Sequence, residues 1–174
     1  MGLPDGSAER AVVRRLRQRD SVGQTGRNER PIFPKLPQVM RMSWMEWYDS
    51  LAKPEWTPEP ATISLIWQIL YPIILVTFGF VFVQALRGKV PWSVAVPFAI
   101  NLVANLIFTP IQFGLRNLPL ASVDILVVWV TIIVSMILVW PYYKWVALAQ
   151  IPYFIWVSLA TVLQLSITWM NWGR

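Results

Sequence analysis

The stretch ATISLIWQILYPIILVTFGFVFVQAL, residues 61–86, is a long apolar run that no charged side chain interrupts. About 20 consecutive apolar residues are enough for a helix to cross the hydrocarbon core of a bilayer. A segment in lipid must satisfy its backbone hydrogen bonds internally, which favours a helix over an isolated strand. The stretch therefore predicts a transmembrane helix.

Three more stretches of this kind follow, at residues 90–115, 117–143 and 145–172, and Asp124 is the single charge among them. The connections between the four stretches are very short, so neighbouring helices must run antiparallel. We therefore predict an all-α integral membrane protein built as a bundle of four transmembrane helices. The lipid bilayer is its expected partner, and no nucleic-acid partner is expected.

Composition supports a membrane protein and excludes several kinds of chemistry. Hydrophobic residues make up 56% of the chain and charged residues 14%, against about 25% charged residues in soluble domains. The chain has no cysteine and no histidine. This excludes disulfides, thiol nucleophiles, the usual zinc sites, a Ser-His-Asp triad and axial haem ligation by His or Cys. We expect no metal site and no required cofactor.

Basic residues predict the orientation of the bundle. Four spans place both termini on one side, which holds twelve Lys and Arg residues, against three on the other side. Lys and Arg favour the cytosolic side, so both termini are predicted to be cytosolic. Residues 1–43 form a predicted basic tail without a span, ahead of a membrane domain at 44–174. The tail is either disordered or, over residues 8–19, a short basic helix on anionic lipid.

Tryptophans fall into two groups along the chain. Most stand near the ends of the predicted spans, where an aromatic belt at the lipid–water interface is the simplest interpretation. Three stand deeper, namely Trp67, Trp129 and Trp156, and are better candidates for packing or for binding a ligand. The group near the span ends comprises Trp44, Trp47, Trp56, Trp92, Trp140, Trp145, Trp169 and Trp172.

Polar residues inside the spans form a second set of candidates. An ionisable group within a membrane is costly, so Asp124 is either a polar tie to a neighbouring helix or loop, or a ligand or proton group. Asn101, Asn105 and Gln112 stand four and seven residues apart, which places them on one helix face. That face must turn inward, either for hydrogen bonds between helices or to line a polar part of a pocket.

Five ordered sequence elements resemble the tryptophan-rich sensory protein family, also called the TspO/MBR, translocator protein or peripheral benzodiazepine receptor family. The first two are WYDSLAKPEWTP at 47–58 and WQILY at 67–71. ANLIFTPIQFG at 104–114 and ASVDIL at 121–126 come next, and PYFIWVSLATVLQ at 152–164 is the last. The resemblance covers residues 44–172 with the spacing of the family.

This resemblance implies a receptor or sensor that binds tetrapyrroles (porphyrins) or similar flat hydrophobic ligands between its helices. The segment around 47–58 would form a lid over the pocket. The family has five spanning helices, and the one before this lid is missing from the predicted spans. The residues implied in ligand binding are Tyr48, Trp56, Trp67, Tyr71, Asn105, Phe108, Asp124, Trp156, Ala160 and Leu163.

The resemblance also leaves alternatives open. One is an enzyme that degrades porphyrins with light and oxygen, in which Trp156 would take part. Others are a ligand carrier, although no inverted repeat is evident, or a degenerate relative with a structural role. A homodimer is the family's expected assembly. Leu165 stands where the family's proposed sterol-recognition pattern has a tyrosine, so the resemblance does not extend to sterol recognition there.

Overall fold

The computed structural model describes residues 43–173, and this part of the chain is helical without any strand. Short helix α1 is followed by four long helical segments, of which the second ends in a π-helical turn and the fourth is broken once. The helices are α1 Trp44–Ser50, α2 Pro60–Leu86, α3 Trp92–Thr109 with the π-helical turn Pro110–Gly114, α4 Leu118–Val139, α5 Lys144–Ala149 and α6 Ile151–Met170.

Four segments are long and apolar enough to cross a membrane, namely Pro60–Leu86, Trp92–Gly114, Leu118–Val139 and Lys144–Met170. The predicted all-α membrane bundle is thereby confirmed, with span ends that differ by a few residues. The largest difference is at the end of α4, which stops at Val139 instead of 143 because a turn containing Pro141 follows. The predicted tail lies outside the described residues apart from Ser43.

Prolines act differently at different positions of these helices. Pro72 and Pro97 lie inside α2 and α3, which continue through them. Pro110 begins the π-helical turn, in which the Leu115 amide donates to the Pro110 carbonyl over 2.9 Å. Pro152 lies in the first turn of α6, where a missing N–H costs no helical bond. The fourth apolar stretch is interrupted at Gln150, between the end of α5 and the start of α6.

Helix α4 packs along α3 and along α6, while α2 contacts α3, α5 and α6. The core contains the edge-to-face pair Phe78 and Phe98, whose ring centroids are 4.9 Å apart. The outer faces keep large apolar side chains exposed, including Leu75 and Val76 on α2. Such an outer surface suits lipid rather than water.

Helix α1 packs against the bundle through Trp47. A capping box begins it, since the Glu46 amide donates to Ser43 Oγ and the Ser43 amide donates to the Glu46 carboxylate. Its Trp47 is only 7% exposed and packs with Leu118, Leu163 and Ile167. Trp47 therefore departs from the predicted interfacial belt and serves as a packing anchor for α1.

Candidate functional site

A cavity of about 400 Å³ lies between the long helices, within the roughly 300–1,000 Å³ range of small-molecule sites. It is lined from α1 and the following loop, from α2, from α3 with its π-helical turn, and from α4 and α6. None of the lining residues is charged. They are Tyr48, Pro58, Ile63, Ser64, Trp67, Gln68, Tyr71, Asn105, Phe108, Thr109, Gln112, Phe113, Ile125, Val128, Trp156, Val157, Leu159, Ala160, Leu163, Gln164 and Ile167.

The structure brings most of the candidate residues from the sequence to this one cavity. Trp56 and Asp124 do not line it. Trp56 is 47% exposed in the loop, and Asp124 is buried on α4 with no hydrogen-bond partner at Oδ2 among the described residues. Their part in ligand binding stays a prediction. The candidates that do line the cavity are Tyr48, Trp67, Tyr71, Asn105, Phe108, Trp156, Ala160 and Leu163.

Aromatic rings form much of the cavity wall. Trp67 and Tyr71 stand four residues apart on α2, which places them on the same helix face. Their rings stack at a centroid distance of 5.3 Å and an interplanar angle of 30°. Trp67 also meets Tyr153 of α6 edge to face at 6.2 Å. These contacts hold the Trp67 ring in place at the wall.

A buried network of amide and phenol groups supports the neighbouring wall. The Asn105 amide donates to Tyr153 Oη over 2.9 Å, and Tyr153 Oη donates to Asn101 Oδ1 over 3.0 Å. Asn101 Nδ2 donates to the Val128 carbonyl over 2.8 Å and to Thr131 Oγ1 over 2.9 Å. Asn101 therefore ties α3 to α4 and α6, while Asn105 faces the cavity.

Two residues that line the cavity each have a buried polar side-chain atom without a hydrogen-bond partner within residues 43–173. These atoms are Oε1 of Gln112, a residue that is 2% exposed, and Nε1 of Trp156. One is an acceptor and the other a donor, and buried polar groups normally find partners. The residues that line the cavity therefore include one buried acceptor and one buried donor without a partner in the described part of the chain.

Gln164 and Tyr153 were not predicted from the sequence. Gln112 was predicted only as one of the polar residues that share a helix face with Asn105 and that either bond a neighbouring helix or line a polar part of a pocket. Tyr153 lay inside the PYFIW element, but its role depends on contacts with α3 that no spacing along the chain reveals. Gln164 donates to Thr168 one turn later on α6.

Trp129, the third of the deep tryptophans, has a packing role. Its Nε1 donates to Ser158 Oγ over 3.0 Å, and its ring stacks on Phe154 at 6.4 Å. These contacts join α4 to α6, as does the hydrogen bond of 2.7 Å between Ser122 and Thr168. Trp129 does not line the cavity.

Tyr48 closes one end of the cavity from α1. Its ring meets Phe113 edge to face at 5.5 Å, and Lys53 Nζ lies 4.3 Å from the ring centroid. Lys53 also donates to the Tyr48 carbonyl over 2.8 Å and lies 3.5 Å from the Asp49 carboxylate. Burial, and then the negative charge of Asp49, raise the pKa of the Tyr48 phenol. The phenol therefore remains neutral and can donate a hydrogen bond.

Comparison with known proteins gives a family match and several relatives. The model of the TspO/MBR family matches residues 32–170. An uncharacterized membrane protein of Bacillus subtilis, YtaB, is 39% identical over 115 residues, which cover 60% of this chain and 74% of the relative. A tryptophan-rich sensory protein of Cereibacter sphaeroides is 30% identical over 132 residues, covering 74% of this chain and 79% of the relative.

A further relative, the tryptophan-rich protein TspO of Bacillus cereus, is 35% identical over 115 residues, which cover 59% of this chain and 73% of the relative. The family match spans most of the chain and contains all the residues that line the cavity. It also contains the four membrane-spanning segments. The resemblance seen in the sequence is confirmed, and the chain belongs to the TspO/MBR family.

Proposed function

We propose that this chain is a membrane receptor or sensor that binds a tetrapyrrole, or a similar flat hydrophobic ligand, in the cavity between its helices. Membership of the TspO/MBR family supports the role of membrane sensor or receptor. One observation supports the ligand class: aromatic residues line the uncharged cavity, and two of the lining residues have buried polar atoms without partners in the described part of the chain.

The lining matches the chemistry of a tetrapyrrole. Flat conjugated rings stack on aromatic side chains, and Trp67, Tyr71, Phe108 and Trp156 offer such surfaces. Once these two side chains turn toward the ligand, Gln112 Oε1 would accept from a pyrrole N–H group, and Trp156 Nε1 would donate to a carbonyl or carboxyl oxygen. Because the chain has no His or Cys, stacking and hydrogen bonds would hold the ligand rather than strong metal ligation.

Filling the cavity tests this proposal. Ala160 lines the cavity, so Ala160→Phe places a ring in the space that the ligand would take. We expect a loss of affinity for protoporphyrin IX of at least about 100-fold, since the two rings cannot share the volume. The absorption of the porphyrin is measured during titration of the protein in lipid nanodiscs.

Val162→Phe is the matched control for this experiment. Val162 lies on the same helix, is 55% exposed and does not line the cavity. Its replacement adds a ring on the outer surface, so affinity for protoporphyrin IX is expected to stay within about twofold of wild type. Equal affinity in the Ala160→Phe and Val162→Phe variants would contradict the assignment of the ligand to this cavity.

We further propose that both termini face the cytosol, since basic residues concentrate on that side of the bundle. Single cysteines can test this orientation cleanly because the chain has none of its own. Lys89 and Asn117 are exposed at opposite ends of α3 with its π-helical turn. A membrane-impermeant maleimide should label Lys89→Cys in intact cells, but Asn117→Cys only after permeabilisation. The reverse pattern would show the opposite orientation.

A further inference from the structure

We call the loop between α1 and α2, residues 51–59, the lid, because Pro58 of this loop lines the cavity. Within residues 43–173, two hydrogen bonds join the backbone of segment 51–58 to the long helices, and Asn171 makes both of them. Asn171 directly follows α6 and lies 119 positions from its partner Ala52. One side chain at the end of the last helix thus makes both of these hydrogen bonds to the lid.

The Asn171 amide is fully used in this position. Its Oδ1 accepts from the Ala52 amide over 3.0 Å, and its Nδ2 donates to the Ala52 carbonyl over 2.8 Å. Nδ2 also donates to the Ile167 carbonyl over 2.7 Å, which caps the end of α6. Asn171 is only 8% exposed, so water has little access to replace these bonds.

No other side chain reproduces this pattern. Aspartate has an acceptor for the Ala52 amide but no donor for the Ala52 or Ile167 carbonyls. Serine is too short to meet both groups of the Ala52 backbone, and glutamine places the same amide one methylene farther out. The geometry therefore requires asparagine, which distinguishes a specific attachment from a general polar contact at the helix end.

We propose that Asn171 is the positioning residue that holds the lid closed, and that breaking its two bonds to Ala52 opens the cavity to ligand exchange. The second half of this proposal rests on the proposed function. Inside the lid, the amide and hydroxyl of Thr57 both bond the Pro54 carbonyl. Because this local turn does not involve Asn171, the released lid keeps its own shape and moves as a unit.

The attachment also couples the lid to the ligand. Helix α6 lines the cavity with Trp156, Ala160 and Leu163, and Asn171 stands directly after its last residue. A shift of α6 when a ligand packs against those side chains would act on the Asn171–Ala52 bonds. Occupancy of the cavity can therefore be reported as the position of the lid, at the membrane surface where a partner could detect it.

Hydrogen exchange of the ligand-free protein tests the attachment. In Asn171→Ala we expect the Ala52 amide to exchange at least about tenfold faster than in wild type, because its acceptor is gone and the lid opens more often. The Thr57 amide, bonded within the lid, should keep its rate. Asn117→Ala is the matched control, since Asn117 is exposed and its side chain caps α4 by accepting from the Leu120 amide rather than bonding the lid.

Asn171→Asp provides a second variant with the same shape. It keeps an acceptor for the Ala52 amide and loses both donated bonds, so its Ala52 exchange rate should fall between those of wild type and Asn171→Ala. Unchanged exchange at Ala52 in both Asn171 variants would overturn the proposal. So would equal acceleration in the Asn117→Ala control, since general loosening of the bundle would then explain the result.

Ligand kinetics test whether breaking the Asn171–Ala52 bonds opens the cavity to ligand exchange. Stopped-flow mixing with protoporphyrin IX should show association and dissociation rates that both rise about tenfold in Asn171→Ala, with a smaller change in Kd. Unchanged rates alongside faster Ala52 exchange would overturn the role of the lid in ligand exchange. If Ala52 exchanges faster in Asn171→Ala but the wild-type protein binds no porphyrin, the attachment is supported and the proposed function is overturned.

Discussion

Trp67→Ala should weaken binding of protoporphyrin IX by roughly 10- to 100-fold, the largest loss expected from removing a single contact. Trp67 supplies a ring face to the cavity and stacks on Tyr71 at 5.3 Å. Its loss removes the stacking surface for the ligand and frees Tyr71 to change its orientation. Absorption titration of the porphyrin measures the effect without depending on the number of tryptophans left in the protein.

Trp92→Ala is the control for this prediction. Trp92 begins α3, is 55% exposed and does not line the cavity, so its replacement removes a tryptophan without touching the site. Affinity should remain within about twofold of wild type. If Trp67→Ala and Trp92→Ala bind equally well, the stacked pair of Trp67 and Tyr71 has no part in ligand binding.

The second large effect is on stability rather than on binding. Asn101→Ala should lower the free energy of unfolding by about 2 kcal/mol, and the melting temperature in detergent by roughly 4 to 8 °C. Asn101 is 0% exposed and bonds the Val128 carbonyl, Thr131 and Tyr153. Its removal leaves Tyr153 Oη without an acceptor inside the bundle, where water cannot take its place.

A double-mutant cycle separates this network from a general packing loss. Tyr153→Phe removes the hydroxyl that Asn101 accepts from, so the double variant Asn101→Ala with Tyr153→Phe should be less destabilised than the sum of the two single variants. Hydrogen bonds between membrane helices are often modest, which makes the cycle more informative than either single value. Additive effects would show that the Asn101–Tyr153 bond contributes nothing measurable.

The sequence predicted the four spans because their lengths and missing charges leave few alternatives in a membrane. It did not predict the interruption at Gln150, where α5 has ended at Ala149 and α6 begins at Ile151, one residue before Pro152. Continuous hydropathy hides such a break. The π-helical turn at Pro110–Gly114 was hidden for the same reason.

Some of the residues that line the cavity could be predicted from the sequence and others could not, for a physical reason. Aromatic residues such as Trp67 and Trp156 stood out because they lie deep in apolar runs and match family elements. Gln112 stood out less, and its orientation at the cavity depends on the π-helical turn. Asp124 attracted attention as the single acid in a span, yet the structure places it outside the cavity lining.

Contacts between distant residues were not predictable at all. The Asn101–Tyr153 bond joins residues 52 positions apart, and the Asn171–Ala52 bonds join residues 119 positions apart. Spacing along one helix identifies a shared face, but it does not identify the side chain that meets that face from another helix. The contacts of Tyr153 and Asn171 are therefore seen only in the packed structure.

The most direct test of the proposed function is an equilibrium titration of the wild-type chain in lipid nanodiscs with protoporphyrin IX. We predict saturable binding of about one porphyrin per chain, with a shifted porphyrin absorption band and quenched tryptophan fluorescence, as expected for a ring stacked in the cavity. Absorption and fluorescence changes that rise without saturation, and equally in empty nanodiscs, would mean partition into lipid and would contradict it.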